Sequence, residues 1–166
     1  MKKVLSVLLV LVLGIGLFAG CGETEQSEYY FKDNVMNIPG IKIEITDVKI
    51  IAKGEKGNEY GEKNVIAFWY NTTKVDDTVE SVDPMTAWIS NVTAYQDNNE
   101  NSVNELEVAD LPDDKFLDSQ MEEIKVGGTV ENAVAYYLDD NSTPVLLRCS
   151  DLLQETIYGE QTFEVK

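Results

Sequence analysis

Strict alternation of apolar and charged residues is the feature that most constrains how this chain folds. From Ile41 to Ile45 every second residue is an isoleucine, and the residues between include a lysine and a glutamate. Successive side chains of a strand point to opposite faces, so this pattern predicts a half-buried β-strand. Beyond Ile45 the apolar positions switch parity, beginning at Val48, which predicts a β-bulge or a short break near Asp47.

Other segments extend the β pattern along the chain. Residues 65–70 are apolar on both parities, which predicts a central strand that is covered on both faces. Further strands are predicted at residues 86–96, 130–138, 144–149 and 161–165, with a glycine-rich loop at 53–63 and another loop around Gly159. A short helical turn is predicted at 110–117, because Pro112 suits a first helical position. Many short strands and at most one short helix predict an all-β fold, a β-sandwich or a barrel.

The N-terminal segment follows a different pattern. Two lysines after Met1 precede an almost unbroken apolar stretch from Val4 to Ala19. A basic start, a short apolar stretch and small residues at its end are typical of a signal peptide. The stretch is also shorter than the roughly 20 apolar residues that a membrane-spanning helix needs. Residues 1–20 are therefore predicted to be a signal peptide.

The residues at the end of this segment carry a more specific signal. Ala19-Gly20-Cys21 resembles the lipobox of bacterial lipoproteins, although Phe18 stands where leucine is usual. The resemblance implies that the Cys21 thiol is alkylated with diacylglycerol and that cleavage makes Cys21 the first residue. Two acyl chains anchor a protein stably, so the predicted partner is the lipid bilayer, bound through diacylglyceryl-Cys21. The predicted location is the extracellular face of the cell membrane; the alternative is an ordinary signal peptide with an incidental cysteine.

The chain after Cys21 divides into a linker and one domain. Residues 21–30 are predicted to be the lipid-modified cysteine and an acidic linker, because they are polar and lack apolar periodicity. Residues 31–166 have the length of a single domain.

Composition excludes several classes of function. The formal net charge is −17 and there is no basic stripe, which argues against nucleic acid as a partner. The chain has no histidine, so Ser-His-Asp and Cys-His catalysis and histidine-ligated zinc cannot be built. No catalytic residues are predicted, and the domain is expected not to be an enzyme.

The second cysteine is predicted to be structural. The chain has two cysteines, so lipid modification of Cys21 leaves Cys149 without a disulfide partner. Cys149 shares strand parity with Val145 and Leu147, which favours a small buried side chain. The alternative, a reactive thiol, lacks any histidine to activate it.

Five strings of sequence carry a family resemblance. They are VIAFWY at residues 65–70, VDPMTAW at 82–88, LPDDKFL at 111–117, KVGGTV at 125–130 and YYLD at 136–139. They resemble a family of uncharacterised lipoproteins from Gram-positive bacteria, over roughly residues 30–166. The glycine-threonine turn before a strand also resembles a wider group of immunoglobulin-like extracellular domains that includes a mycobacterial secreted antigen. The resemblance implies an immunoglobulin-like β-sandwich and no activity.

Two kinds of binding site remain candidates. Acidic loops bind calcium when their carboxylates converge, and Asp76, Asp77, Glu80 and Asp83 are the candidate ligands; a solvated acidic loop is the alternative. No other metal site or cofactor is predicted. Six aromatic residues are candidates either for a ligand groove or for the core: Trp69, Tyr70, Trp88, Tyr95, Tyr136 and Tyr137. One tryptophan is expected in the core, and one of the two adjacent tyrosines is expected to face outward.

These sites correspond to two hypotheses for function. The first is a non-enzymatic binding or interaction module of a membrane-anchored lipoprotein, whose partner is an unknown surface protein or small ligand. It predicts an exposed aromatic patch or an open sheet edge. The alternative is a calcium-dependent structural or adhesive surface domain that uses the acidic loops.

Overall fold

A computed structural model describes residues 28–165. Cys21 and the predicted signal peptide lie outside the described residues. The strands are β1 Tyr30–Lys32, β2 Val35–Ile38, β3 Ile41–Ile51, β4 Val65–Lys74, β5 Val92–Gln96, β6 Asn104–Glu105, β7 Thr129–Tyr137, β8 Val145–Ser150 and β9 Ile157–Phe163. One α-helix, α1 Pro84–Asn91, and one 3₁₀ helix, Asp114–Phe116, complete the described elements.

The strands form two antiparallel sheets. The five-stranded sheet has the order β1-β2-β3-β4-β7, and the four-stranded sheet has the order β6-β5-β8-β9. A shared apolar core draws residues from both, including Phe68 of β4 and Leu147 of β8. The predicted all-β sandwich with one short α-helix is therefore confirmed.

Strand β3 has the break that its sequence predicts. Its residues pair with β4 in antiparallel register, and the register shifts between Ile45 and Asp47. The extra residue moves the apolar positions to the other parity, because each added residue reverses the face to which the following side chains point.

Strand β4 lies between β3 and β7. This is the central position that its apolar residues on both parities predicted. Its even-numbered residues Ile66, Phe68 and Tyr70 face the main core. Its odd-numbered residues Val65 and Ala67 belong to a second, smaller cluster on the outer face of the sheet, with Trp69 packed against them.

The strand predicted over residues 86–96 is wrong in its first half, which forms α1. The carboxylate of Asp83 accepts a hydrogen bond from the backbone N–H of Thr86 at 2.8 Å, and Pro84 occupies the first turn. This pairing of N-cap and proline is typical of a helix start. The Trp88 ring then packs on the Tyr70 ring at a centroid distance of 4.4 Å. Trp88 therefore reaches the core from a helix, and the strand begins only at Val92.

Two further boundaries differ from the sequence prediction. The helical turn predicted at 110–117 is a single 3₁₀ turn at Asp114–Phe116, capped by the Asp113 side chain, so Pro112 precedes it. Gly159 was expected in a loop and lies within β9. Its position there is required by packing, because a Cβ at residue 159 would lie 2.5 Å from the carbonyl oxygen of Phe31 in β1.

Chain segments join the two sheets along both sides of the sandwich. On one side, the backbone N–H of Leu106 donates to Ala94 in the four-stranded sheet, and that of Ala109 donates to Ala135 in the five-stranded sheet, both at 2.8 Å. On the other side, β1 packs against β9, where the backbone N–H of Asn34 donates to the side chain of Gln161 at 2.9 Å.

Cys149 is buried in the core beside Val145 and Leu147, as predicted. It is a free cysteine, and burial raises the pKa of its thiol to about 12. A thiol that stays protonated is a poor nucleophile, so the structure favours a packing role.

Candidate functional site

The acidic loop that follows β4 holds the four predicted calcium ligands, and two of its carboxylates serve the local backbone. Asp76 accepts hydrogen bonds from the side chain and backbone of Thr78, and these lower the pKa of its carboxyl group. Asp83 caps helix α1 through Thr86.

A buried lysine neutralises part of the same loop. The ammonium group of Lys74 lies 3.5 Å from the Asp77 carboxylate and donates to the backbone carbonyl of Glu80 at 2.8 Å. Within residues 28–165, no three aspartate, glutamate or cysteine side chains are grouped as metal ligands. Three of the four candidate ligands therefore have partners within the chain: Asp76 accepts from Thr78, Asp77 pairs with Lys74, and Asp83 caps α1.

A cleft of about 570 Å³ opens on the outer face of the five-stranded sheet. Trp69 lies in it and is half-buried, packed against the cluster that includes the small residues Ala67 and Ala135. The other walls come from the end of β3, from the loop that follows β3, and from residues 112–115 before and within the 3₁₀ helix. Its volume is within the range of about 300–1,000 Å³ that is usual for ligand pockets.

Polar contacts hold the Trp69 indole in place. Its Nε1–H donates to the carboxylate of Asp113 at 3.3 Å, and the ammonium group of Lys49 lies 4.8 Å from the ring centroid. Each of these partners has its own ion pair, Asp113 with Lys115 at 3.7 Å and Lys49 with Asp47 at 2.7 Å. The hydrogen bond from Lys49 lowers the pKa of Asp47, which keeps that carboxylate charged.

The same side chains divide a longer groove. A second cavity of about 380 Å³ lies beside the first, and Lys49, Trp69, Asp113 and Lys115 line both. These four residues separate the two cavities. The groove is thus lined by both signs of charge around the Trp69 ring, with Tyr70 and Phe116 lining the second cavity, in a protein whose net charge is −17.

The loop after β3 is held against this groove by close backbone packing. Gly57 has a φ of +89°, and a Cβ on it would collide with the carbonyl oxygen of Pro112. Asn58 is buried, and its side-chain amide donates to the carbonyls of Ile51 and Lys63 at 3.2 and 2.9 Å. Asn58 therefore fixes the predicted glycine-rich loop, and Gly57 allows it to contact the segment that carries Asp113.

Comparison with known families identifies the chain. Residues 19–151 match the family described as a domain of unknown function, DUF5067. The chain belongs to this family. No curated protein matches the sequence. The predicted kinship with immunoglobulin-like domains and the mycobacterial secreted antigen stays a prediction.

One solved structure shares the fold of this DUF5067 protein. It is that of a candidate lipoprotein from Staphylococcus aureus, with a TM-score of 0.67 and 20% sequence identity. The match covers 81% of this chain and 90% of the other. Within the part of this chain that the structure describes, no helix is long and apolar enough to cross a membrane.

The structure separates the six candidate aromatic residues of the DUF5067 domain. Tyr70, Trp88 and Tyr136 are in the main core, as expected for one of the two tryptophans, and Tyr95 is buried beneath the guanidinium of Arg148. Trp69 and Tyr137 are half-buried on the outer face. Of the six, only Trp69 lines the large cleft.

The sequence did not predict that the charged residues of the cleft lie close together. Lys49 lies on β3 and Lys56 in the loop that follows it, and Lys115 joins them because residues 106–115 cross from one sheet to the other. The alternation in β3 showed which face Lys49 occupies, and the β3–β4 register was the missing information that places it beside Trp69.

Proposed function

We propose that this protein is a membrane-anchored extracellular lipoprotein whose domain is a non-enzymatic binding module, and that it binds its partner in the Trp69 cleft. The partner is a surface protein segment or a small ligand. The observation that carries the proposal is the cleft itself: one partly exposed indole, held by Asp113 and Lys49, in a cavity of about 570 Å³.

The charges around the cleft support a polar partner. Lys49, Lys56 and Lys115 offer ammonium donors, and Glu55 and Asp113 offer carboxylate acceptors. Groups of both signs around an aromatic ring suit a ligand that has charged or hydroxyl groups and one flat or apolar face.

The lipid anchor has its own support. The sequence from Ala19 to Cys21 resembles a lipobox, and the Staphylococcus aureus protein that shares the fold is itself a candidate lipoprotein. The bilayer is then reached through diacylglyceryl-Cys21.

The binding proposal is tested with the mature chain and a pool of charged and hydroxylated fragments, namely amino acids, short peptides and sugars. The Trp69 indole N–H gives its own NMR signal, so binding in the cleft shifts that signal and the amides of residues 112–115. We expect Trp69→Ala to abolish the shifts in residues 112–115.

Tyr60→Ala provides the matched control, because Tyr60 is an exposed aromatic residue that does not line the cleft. This variant should bind the same fragments as the wild type. Fragments that shift other surfaces while the Trp69 signal stays fixed would reject the cleft as the binding site.

A further inference from the structure

The chain enters the fold at an identifiable end of the sandwich. The backbone carbonyl of Glu28 accepts a hydrogen bond from the side chain of Asn37 at 2.8 Å, and the ring of Tyr29 lies 6.1 Å from that of Tyr158 at the start of β9. We call this the tether end, because it lies next to the chain that leads back to Cys21.

Strands β1 and β9 run side by side in the same direction from this end. Tyr29 is next to Tyr158, Phe31 is next to Gly159, and residue 34 bonds to residue 161. The loop that precedes β9 and joins it to β8, residues 151–156, therefore also lies at the tether end.

This loop exposes two adjacent leucines. The exposed fractions of Leu152 and Leu153 are 74% and 75%, and Ile157 beside them is 54% exposed. Single exposed apolar residues are ordinary, whereas adjacent ones at the tip of a hairpin form a small apolar patch.

Backbone hydrogen bonds hold the leucines in this position. The Asp151 carboxylate accepts the backbone N–H groups of Glu155 and Thr156 at 2.9 and 3.0 Å. The backbone N–H of Asp151 donates to Thr156 at 3.0 Å, and Gln154 takes a φ of +57°. The loop is thus a closed turn whose acidic side chain points to its own backbone, with the leucines on the outside.

The length of the preceding chain limits how far this end lies from the membrane. Glu28 is seven residues after Cys21. Fully extended, that chain spans at most about 25 Å, so a lipid on Cys21 keeps the tether end within that distance of the bilayer. A weak contact made at so short a range is favoured by its high effective concentration.

We infer that Leu152 and Leu153 insert into the interfacial region of the bilayer that holds Cys21, as a second membrane contact that orients the domain. The inference rests on the lipid anchor of the proposed function. Leu152 also borders a small cavity of about 200 Å³ beside Ile89 and Val92. The bilayer is favoured over a protein partner because both leucines are about three-quarters exposed in a loop that lies within reach of the anchor. Insertion is favoured in bilayers that contain little anionic lipid, because the domain is strongly acidic and an anionic surface repels it.

The orientation would place the Trp69 cleft away from the membrane. Strand β3 ends at Ile51 and β4 begins at Val65, and their paired ends lie opposite the tether end. The loop between them forms one wall of the cleft. We call this opposite end the far end; a docked domain presents it to the outside.

Spin labels in the full lipid-modified protein, reconstituted in nanodiscs of zwitterionic phospholipid, test the inference. One label is placed at Leu153→Cys and the matched control at Tyr60→Cys, a 91% exposed position in the far-end loop. Cys149 is buried, so it does not compete for the label. Collision rates with oxygen and with a water-soluble nickel chelate then report depth.

We expect the label at 153 to be several-fold less accessible to nickel than the label at 60, and more accessible to oxygen. Equal nickel accessibility at 153 and 60, in protein that stays on the nanodiscs, would overturn the inference and leave the anchor intact. If the purified full-length protein instead carries an unmodified Cys21 and does not stay on the nanodiscs, the anchor and this inference are overturned together.

A second variant keeps the test independent of labelling. Leu152→Ser with Leu153→Ser should leave the protein on the membrane and broaden the distribution of distances between residue 60 and the bilayer surface. Val103→Ser is the matched control, because Val103 is 69% exposed in the loop after β5 at the far end. An unchanged distribution in the double variant would contradict the inference.

Discussion

The indole N–H of Trp88 donates a hydrogen bond to the hydroxyl of Tyr136 at 2.7 Å, in the buried interior of the sandwich. The bond joins helix α1 to β7 across the core. Both groups are fully desolvated, so each depends on the other for its polar partner.

Removing the acceptor of this bond should destabilise the fold. Tyr136→Phe leaves the Trp88 N–H buried without a partner, and we expect the free energy of unfolding to fall by about 1–3 kcal/mol. Urea unfolding followed by circular dichroism measures the change. Tyr137→Phe, on the half-buried outer face, should change it by less than about 0.5 kcal/mol. Equal effects of the two substitutions would contradict the assignment.

Stability should fall at alkaline pH, in part through Cys149. Burial raises the pKa of its thiol to about 12, whereas an unfolded thiol titrates near 8.5. The resulting stability is fully present below about pH 8.5 and is lost as the pH rises toward 12, at about 1.4 kcal/mol per pH unit. Cys149→Ala lacks this contribution, so its unfolding free energy should decline less steeply between about pH 9 and 10.

Buried tyrosines provide the internal reference for that measurement. Burial also raises the pKa of Tyr70 and of Tyr136, so both proteins should lose stability above about pH 10, where unfolded tyrosine ionises. If the unfolding free energies of the wild type and of Cys149→Ala fall in parallel from about pH 8 upward, the burial of Cys149 does not raise the pKa of its thiol, and the prediction is wrong.

The contact between β1 and β9 depends on a missing side chain. Gly159→Ala places a Cβ about 2.5 Å from the Phe31 carbonyl oxygen, so one of the two strands must move. We expect a loss of about 2 kcal/mol or more and faster amide exchange in β1. Differential scanning calorimetry and hydrogen exchange measure these effects. Thr162→Ala, an exposed position on the same strand, is the control and should leave both unchanged.

Calcium should have little effect on stability. Lys74 already pairs with Asp77, and Asp83 is occupied in capping α1. We therefore expect the midpoint of thermal unfolding to be the same in millimolar calcium as in millimolar magnesium. A calcium-specific rise that disappears in Asp76→Asn with Asp77→Asn would instead support the calcium-dependent alternative.

Local patterns predicted strands β3 and β4 well, because the face to which each side chain points follows from its position along the strand. The bulge near Asp47 and the two-sided burial of β4 follow from side-chain parity alone. Helix α1 was missed because Trp88, Val92 and Ala94 also fit strand parity. The cap at Asp83 and the proline after it were the competing signal, and here they decided the structure.

The cleft was only partly predictable for a different reason. Trp69 belongs to an aromatic strand that the sequence singles out. Its neighbours Lys49 and Asp113 are distant in sequence and each is ordinary as a surface residue. Their meeting depends on the β3–β4 register and on the path of the chain between the sheets, and neither leaves a local pattern.

The placement of β1 also determines how the domain resists force. If the proposed anchor and cleft are correct, a partner that pulls on the cleft is opposed by the membrane anchor, and the load passes through β1. β1 begins at the tether end, and its three residues from Tyr30 to Lys32 pair with β2 by hydrogen bonds perpendicular to the strand. Tension along β1 would therefore load these hydrogen bonds in shear, all together, instead of peeling them apart one at a time.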